Sequence, residues 1–234
     1  MKTIEEKYGV KILFLIESGS RAWGWASEDS DFDMRGVYIQ DYNQLEYRSQ
    51  INLKHQDKDV ELWDLKKFLT LMAKSNPSVW EWLSSDIVYI DHPVRKNLQK
   101  MFKKSYSRFA LQKHYSSMAR DNFNKYINLI GDKANLKKYL YVLRSIACIL
   151  WIKKYNSPPP KNYLKVIEML PKYCQTFFKQ IICMKKKSEK IEGPRNKEVE
   201  RFIIPFWTKK YKEDKSKFSI KKLNQILKDE KIHS

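Results

Sequence analysis

Ser18-Gly19-Ser20-Arg21-Ala22-Trp23-Gly24-Trp25-Ala26-Ser27-Glu28-Asp29-Ser30-Asp31-Phe32-Asp33-Met34-Arg35-Gly36-Val37-Tyr38-Ile39 sets a Gly-Ser dipeptide ten residues ahead of an Asp-x-Asp pair. These residue types suit a bound polyphosphate. Backbone N–H groups can approach a phosphate closely where glycine leaves out the Cβ, and a serine hydroxyl adds a donor. Asp31 and Asp33, two apart on an extended strand, share one face. Carboxylates so placed repel unless a cation lies between them. Mg2+ (or Mn2+) is a hard cation that takes carboxylate and phosphate oxygens. Gly19, Ser20, Asp31 and Asp33 therefore read as a metal–triphosphate site.

The flanks agree. Val10-Lys11-Ile12-Leu13-Phe14-Leu15-Ile16 is rich in β-branched and aromatic residues and reads as a buried strand that ends at residues 17–19. Residues 34–39 read as a second strand beginning at the carboxylates. Thr3-Ile4-Glu5-Glu6 has the form of a capping box, opening a short helix that Gly9 ends.

The Gly-Ser-x10-Asp-x-Asp spacing resembles the signature of the DNA polymerase β-like nucleotidyltransferase superfamily. The strings Glu17-Ser18-Gly19-Ser20-Arg21-Ala22-Trp23-Gly24, Ser30-Asp31-Phe32-Asp33 and Arg35-Gly36-Val37-Tyr38 are similar to one branch, the RNA-repair-pathway polymerase β family. Further matches are Trp63-Asp64-Leu65-Lys66-Lys67, Ser75-Asn76-Pro77 with Glu81-Trp82-Leu83, and His114-Tyr115 with Met118-Ala119-Arg120. Residues 137–144 and Pro158-Pro159-Pro160 extend the resemblance to about residues 10–200.

The resemblance implies an α+β fold: a polymerase β-like mixed sheet with helices, followed by an all-α domain. It also implies a third carboxylate on a neighbouring strand, positioned to deprotonate the incoming hydroxyl. Asp57, Asp59 and Glu61 share one strand face by parity, so periodicity does not choose among them. The match anchored on Trp63-Asp64-Leu65 favours Asp59, with Glu61 next. In such proteins the helical half supplies cations to the triphosphate, and the matched positions are Lys137, Lys138, Tyr139, Arg144 and Ser145. Lys138 and Arg144 are the expected nucleotide contacts there. Arg21 is expected on phosphate, and Arg35 beside a strand neighbour.

The net charge of +19 is unevenly spread. Residues 1–93 hold 11 Lys and Arg against 16 Asp and Glu, net −5, which leaves 35 basic and 11 acidic residues, net +24, for the remainder. A mildly acidic half followed by a strongly cationic one favours a polyanionic partner. No run of eighteen apolar residues exists to span a membrane. The charged start Met1-Lys2-Thr3-Ile4-Glu5-Glu6 lacks an apolar signal core. Three cysteines, Cys148, Cys174 and Cys183, show no paired metal-ligand spacing and suit free thiols. A cytoplasmic protein is expected.

Along the chain, Leu65, Phe68, Leu69 and Met72 recur at helical spacing behind Asp64 as N-cap. Ser75-Asn76-Pro77 opens a second short helix, with Ser78 and Glu81 as a capping box. Ile87-Val88-Tyr89-Ile90 reads as a strand. The expected domains are 1–93, catalytic, and 94–234, basic and helical. Helices are expected at residues 115–126, 137–154, 164–170 and 173–184. The 137–154 helix should face the core with Leu140, Leu143, Ala147, Leu150 and Trp151. Residues 185–190 form a charged stretch, and 209–234 a peripheral helix.

The expected reaction transfers NMP from an NTP, ATP foremost, to a hydroxyl, with an RNA 3′ end as acceptor. Transfer of AMP to protein is the alternative acceptor chemistry, and a non-catalytic RNA-binding module is the alternative class.

Overall fold

A computed structural model describes residues 2–28, 30–41, 46–55, 57–127, 133–186 and 191–232. The chain opens with α1 (Lys2–Tyr8), β1 (Val10–Glu17), a short α2 (Gly19–Trp23) and β2 (Phe32–Gln40). Next come β3 (Gln50–His55), β4 (Lys58–Asp64), α3 (Leu65–Ala73), α4 (Pro77–Leu83), β5 (Val88–Ile90) and α5 (Pro93–Ser105). Then follow α6 (Arg108–Tyr126), β6 (Lys133–Asn135), α7 (Leu136–Tyr155), α8 (Tyr163–Ile167) and α9 (Lys172–Lys185). The last elements are β7 (Glu192–Pro194), α10 (Lys197–Ile203) and α11 (Ile220–Ile232).

Five strands form a mixed sheet in the order β3-β4-β2-β1-β5. β1 runs antiparallel to β2 and β5, whereas β4 runs parallel to β2 and antiparallel to β3. The apolar run of β1 is covered on both faces, which is why it lacks the alternation of a half-exposed strand. A register shift between Ile12 and Phe14 marks a bulge. Val10, Ile12 and Leu15 pack into one cluster with Tyr38, Val60 and Leu62. Leu13, Phe14 and Ile16 pack into the other with the helices. β3 is an element the sequence reading missed. Its Ile51 and Leu53 do alternate, but a polar strand paired only with β4 carries a weak signal.

Asp64 caps α3 as expected: it accepts from the Lys66 N–H at 2.9 Å, and the Tyr47 hydroxyl (3.1 Å) and Gln40 amide (3.2 Å) complete its buried carboxylate. The cap of α4 is Asn76, not Ser78. Pro77 occupies the first turn and the Asn76 side chain accepts from the Ser78 N–H at 2.8 Å. Trp80, Trp82 and Leu83 are all buried, with Trp82 against Trp63 at 3.9 Å and Trp80 against Phe102 at 5.5 Å. At α1, Gly9 ends the helix at φ +59°, and Glu5 accepts from the Ile12 N–H at 2.8 Å. The expected Thr3 cap lies outside the described side chains.

The chain divides into two compact units that do not follow the boundary expected near residue 94. One comprises Met1–Ala22, Asp31–Ser107 and Lys215–Ser234; the other comprises Trp23–Ser30 and Arg108–Asp214. Helix α5 stays with the sheet because Val94, Leu98 and Phe102 enter its core. Helix α11 joins the same core through Leu223, with Ile226 and Leu227 packed alongside, so it is no peripheral helix of the basic half. An amphipathic stripe announces that a helix will be covered, not by what.

The second unit is built around α7, whose residues 142–149 are buried without a break. Leu140, Leu143 and Ala147 are fully buried as expected, while Leu150 and Trp151 are half-buried. Asn156, at φ +51°, closes the helix just before the prolines. Among its described residues the unit is helical apart from a β6–β7 ladder, whose three-residue strands are too short to show a period. Cys148 and Cys174 are buried and Cys183 is exposed, all as free thiols. Among the described residues no helix is long and apolar enough to cross a membrane.

Candidate active site

The β1–β2 pairing sets Glu17 opposite Met34, which brings the Gly-Ser dipeptide onto the start of β2. The Ser18 N–H donates to the Asp33 carbonyl at 2.8 Å. Gly19 adopts φ +59°, and a Cβ there would stand 1.8 Å from Asp33 Oδ2. Only glycine permits that approach. Ser20, 7% exposed, follows it in α2. Gly36 meets a similar demand in mid-strand, where a Cβ would come 2.6 Å from the Phe14 carbonyl oxygen.

Parallel pairing of β2 with β4 puts Asp33 in register with Asp59, and Arg35 with Glu61. Arg35 links all three acids. Its Nη2 lies 3.1 Å from Asp33 Oδ1 and 2.9 Å from Asp59 Oδ2, and its Nε lies 3.6 Å from Glu61 Oε2. Nη1 also donates to the Asp59 carbonyl at 2.7 Å and the Met34 carbonyl at 3.0 Å. Two carboxylate oxygens thus converge on one positively charged nitrogen.

Glu61 has another commitment, accepting from Trp63 Nε1 at 2.7 Å. Asp59, its side chain 44% exposed, is the more open of the two. Asp31 is exposed and immediately precedes β2, where the Phe32 N–H donates to the Asp57 carbonyl at 2.7 Å. Among the described residues Asp31 takes no part in the Arg35 ion pairs. Asp57 is exposed at the turn into β4. The Arg21 guanidinium lies 3.9 Å from the centre of the Phe32 ring.

Glu17 joins this cluster although the sequence reading treated it only as the end of a strand. It is 1% exposed; Oε1 accepts from the Asp33 N–H at 2.8 Å and Oε2 from the Tyr89 hydroxyl at 2.5 Å. Burial pushes its carboxyl above the usual carboxylate range, against the pull of those two donors. The sequence carried one hint: a lone acid closing a run of buried residues.

In the second unit, Lys138 Nζ lies 4.0 Å from the Tyr126 ring centre and 5.2 Å from that of Tyr141. Arg144 is 3% exposed and stacks on Trp23 at 4.1 Å, so its aromatic contact sits inside the fold. Tyr139 donates to Glu200 at 2.6 Å, and the Ser145 hydroxyl to the Tyr141 carbonyl at 2.9 Å, both packing roles. The segment between Gly-Ser and Asp-x-Asp also belongs here. Trp25 is buried against Tyr163 and Phe178, and Lys185 Nζ donates to Ser30 Oγ at 2.9 Å and to the Trp25 carbonyl at 3.4 Å. Lys185 is 1% exposed, not the first residue of a solvated charge run; residues 187–190 lie outside the described ones.

The donor set suits a hard divalent cation. Asp33 and Asp59 already surround one positive charge with carboxylate oxygens, and Mg2+ needs only one or two carboxylates besides phosphate and water. Among the described residues no group of three or more His, Cys, Asp or Glu stands ready to hold a metal alone.

The model of the RNA repair pathway DNA polymerase beta family (RlaP) matches residues 1–229. The chain belongs to that family. As an RlaP member it is a polymerase β-like nucleotidyltransferase. It is 40% identical over 176 residues to the uncharacterized protein YcgL of Bacillus subtilis (strain 168), covering 73% of this chain and 67% of YcgL. A solved nucleotidyltransferase-like protein from Exiguobacterium sibiricum 255-15 aligns at 11% identity, over 79% of this chain and 73% of its own. Its TM-score is 0.31, a distant likeness that decides nothing about this RlaP member.

Proposed function

We propose that the chain transfers a nucleoside monophosphate from an NTP, with ATP as donor, to the 3′ hydroxyl of an RNA. The observation that carries this reading is the convergence of Asp33 and Asp59 on one cationic nitrogen, beside a glycine whose missing Cβ leaves Asp33 its place. In this reading the sheet-bearing unit holds the chemistry and the helical unit the acceptor.

Gly19 and Ser20 bind the β- and γ-phosphates, with Arg21 adding charge. Asp31, Asp33 and Asp59 are the residues that would hold Mg2+. That ion, when bound, supplies charge neutralisation for the triphosphate and acidifies the attacking hydroxyl. Asp59 accepts the proton of the 3′ hydroxyl; the O3′–Pα bond forms, the bond from Pα to the bridging oxygen breaks, and pyrophosphate leaves. The chain forms no covalent intermediate, so its contribution is positioning and electrostatics. Arg35 is half of this design: it keeps the facing carboxylates from repelling one another before substrate arrives. Lys138 adds positive charge, and Arg144 orders Trp23 in the segment that leads to Asp31.

Incubation with α-labelled ATP and separate RNA and protein pools tests the proposal. Label should enter RNA, be released by ribonuclease, and vanish in Asp33→Asn and Asp59→Asn. Label confined to protein and surviving ribonuclease would replace the RNA reading by AMP transfer to protein. RNA binding with no label anywhere would leave the non-catalytic module.

A further inference from the structure

Residues 207–214 contain no helix or strand, yet they are tied down at both ends within the helical unit. At one end the Ser116 hydroxyl donates to the Phe206 carbonyl at 2.8 Å. At the other, Asp214 caps α6, accepting from the Arg108 and Phe109 N–H groups at 3.1 Å each and from Arg108 Nε at 3.2 Å. The segment between, Trp207-Thr208-Lys209-Lys210-Tyr211-Lys212-Glu213, therefore runs as a strap beside α6.

A cavity opens on each side of this strap. The larger, about 550 Å3, lies against the α6 face that presents Phe109, Lys113 and Arg120, residues spaced at near-multiples of a helical turn. The smaller, about 250 Å3, is lined by Arg108 and Gln112 of α6, Lys153 of α7 and the other side of the strap. Lys209, Lys210 and Tyr211 line both. Among the described residues Glu213 is the single acid in either lining. Among the described residues none of Lys113, Lys153, Lys209, Lys210 and Lys212 enters an ion pair, though Lys113 lies over the Phe109 ring at 5.2 Å and Lys209 over the Phe206 ring at 4.9 Å.

We propose that this strap and the two cavities bind single-stranded RNA, the body of the acceptor behind its reacting 3′ end. The proposal rests on the RNA-acceptor reading for its biological sense, though the binding it predicts does not depend on turnover. The chemistry is that of a single-strand groove: cations at intervals track the phosphates, and half-buried Trp207 and Tyr211 offer rings on which bases stack. At about 550 and 250 Å3 the cavities are on the scale of single nucleotides rather than of a duplex. Acidic protein surfaces would satisfy the lysines but leave the rings unused.

The test is fluorescence anisotropy with a labelled single-stranded RNA of about 12 nucleotides, using the full chain carrying Asp33→Asn so that binding is read without transfer. Neutralising Lys113, Arg120, Lys209 and Lys210 to Gln should weaken binding at least about tenfold at moderate salt and flatten the log–log salt slope by about 3, at roughly 0.7 per phosphate contact. Trp207→Ala and Tyr211→Ala should each weaken it about 5- to 150-fold with the slope unchanged. A matched control neutralises Lys96, Lys100, Lys103 and Lys104, all exposed on α5 of the other unit. Equal losses in control and groove variants would show a charge effect of the whole protein and overturn the proposal. So would full binding by both aromatic variants, or a groove variant that binds like the parent. Loss of transfer activity in the otherwise unmutated chain, with RNA still held by the groove, would count against the enzymatic reading and not this one.

Discussion

Gly19→Ala and Gly9→Ala form a matched pair that isolates the contact between the Gly-Ser dipeptide and Asp33. Both glycines have φ +59°, so each alanine carries the same left-handed backbone penalty, roughly 1–2 kcal/mol. Around Gly9 a Cβ meets nothing within 4 Å. At Gly19 it would stand 1.8 Å from Asp33 Oδ2, 2.7 Å from its Cγ and 3.2 Å from its Cβ. Carbon and oxygen settle at about 3.3 Å or more, so the carboxylate must retreat by roughly 1.5 Å. Asp33 can turn away, which keeps the added folding cost small but breaks its 3.1 Å pairing with Arg35. Misplacing a reacting group by about 1 Å can cost on the order of a hundredfold in rate. Urea unfolding should therefore find the two variants equally destabilised. Transfer from labelled ATP should fall about a hundredfold in Gly19→Ala and stay near the parent's in Gly9→Ala. If both variants fold and transfer at similar rates, Asp33 is not a group whose position limits the reaction.

Three further outcomes follow from the same contacts. Glu17 has its folded pKa raised by burial, so the stability it contributes is complete below its ordinary 4.5 and is lost as pH rises through the folded value. Glu17→Gln keeps an acceptor for the Asp33 N–H and removes that titration, so it should gain on the parent in urea melts as pH rises from acid to neutral; parallel profiles would refute this. Trp82→Ala removes the ring against Trp63 in a buried cluster and should cost about 3–5 kcal/mol of folding free energy, measured by denaturant titration. Lys185→Met deprives Ser30 Oγ and the Trp25 carbonyl of a donor, a loss of about 1–3 kcal/mol. Hydrogen exchange should accelerate at residues 23–30, and unchanged protection there would show that Lys185 does not hold the segment.

The elements next to the motif were legible because their signals are local. The β1 run, the Asp64 cap, the short helix after Pro77 and the long α7 each lie within one stretch whose period or punctuation declares them. The candidate site was legible for the same reason: Gly19, Ser20, Asp31 and Asp33 lie within fifteen residues of one another. Asp59 could be narrowed to a strand face but not singled out by parity. The register that pairs it with Asp33 is a property of two strands meeting. Glu17 and Lys185 were passed over because a buried charge looks in sequence like any other charge.

Charge shows the limit most clearly. Along the chain it falls as −5 and then +24, but α5 and α11 fold back onto the sheet while residues 23–30 leave it. Counted over the folded units, the sheet-bearing one holds 22 basic and 16 acidic residues, net +6, and the helical one 24 and 11, net +13. Residue type and spacing alone mark Gly19, Ser20, Asp31 and Asp33 as candidates and bring out β1, β2 and α3, since these signals act over a few bonds. Only the tertiary structure decided which acids face Arg35, which core each amphipathic helix fills and where the lysines gather, because burial is settled between segments far apart in the chain.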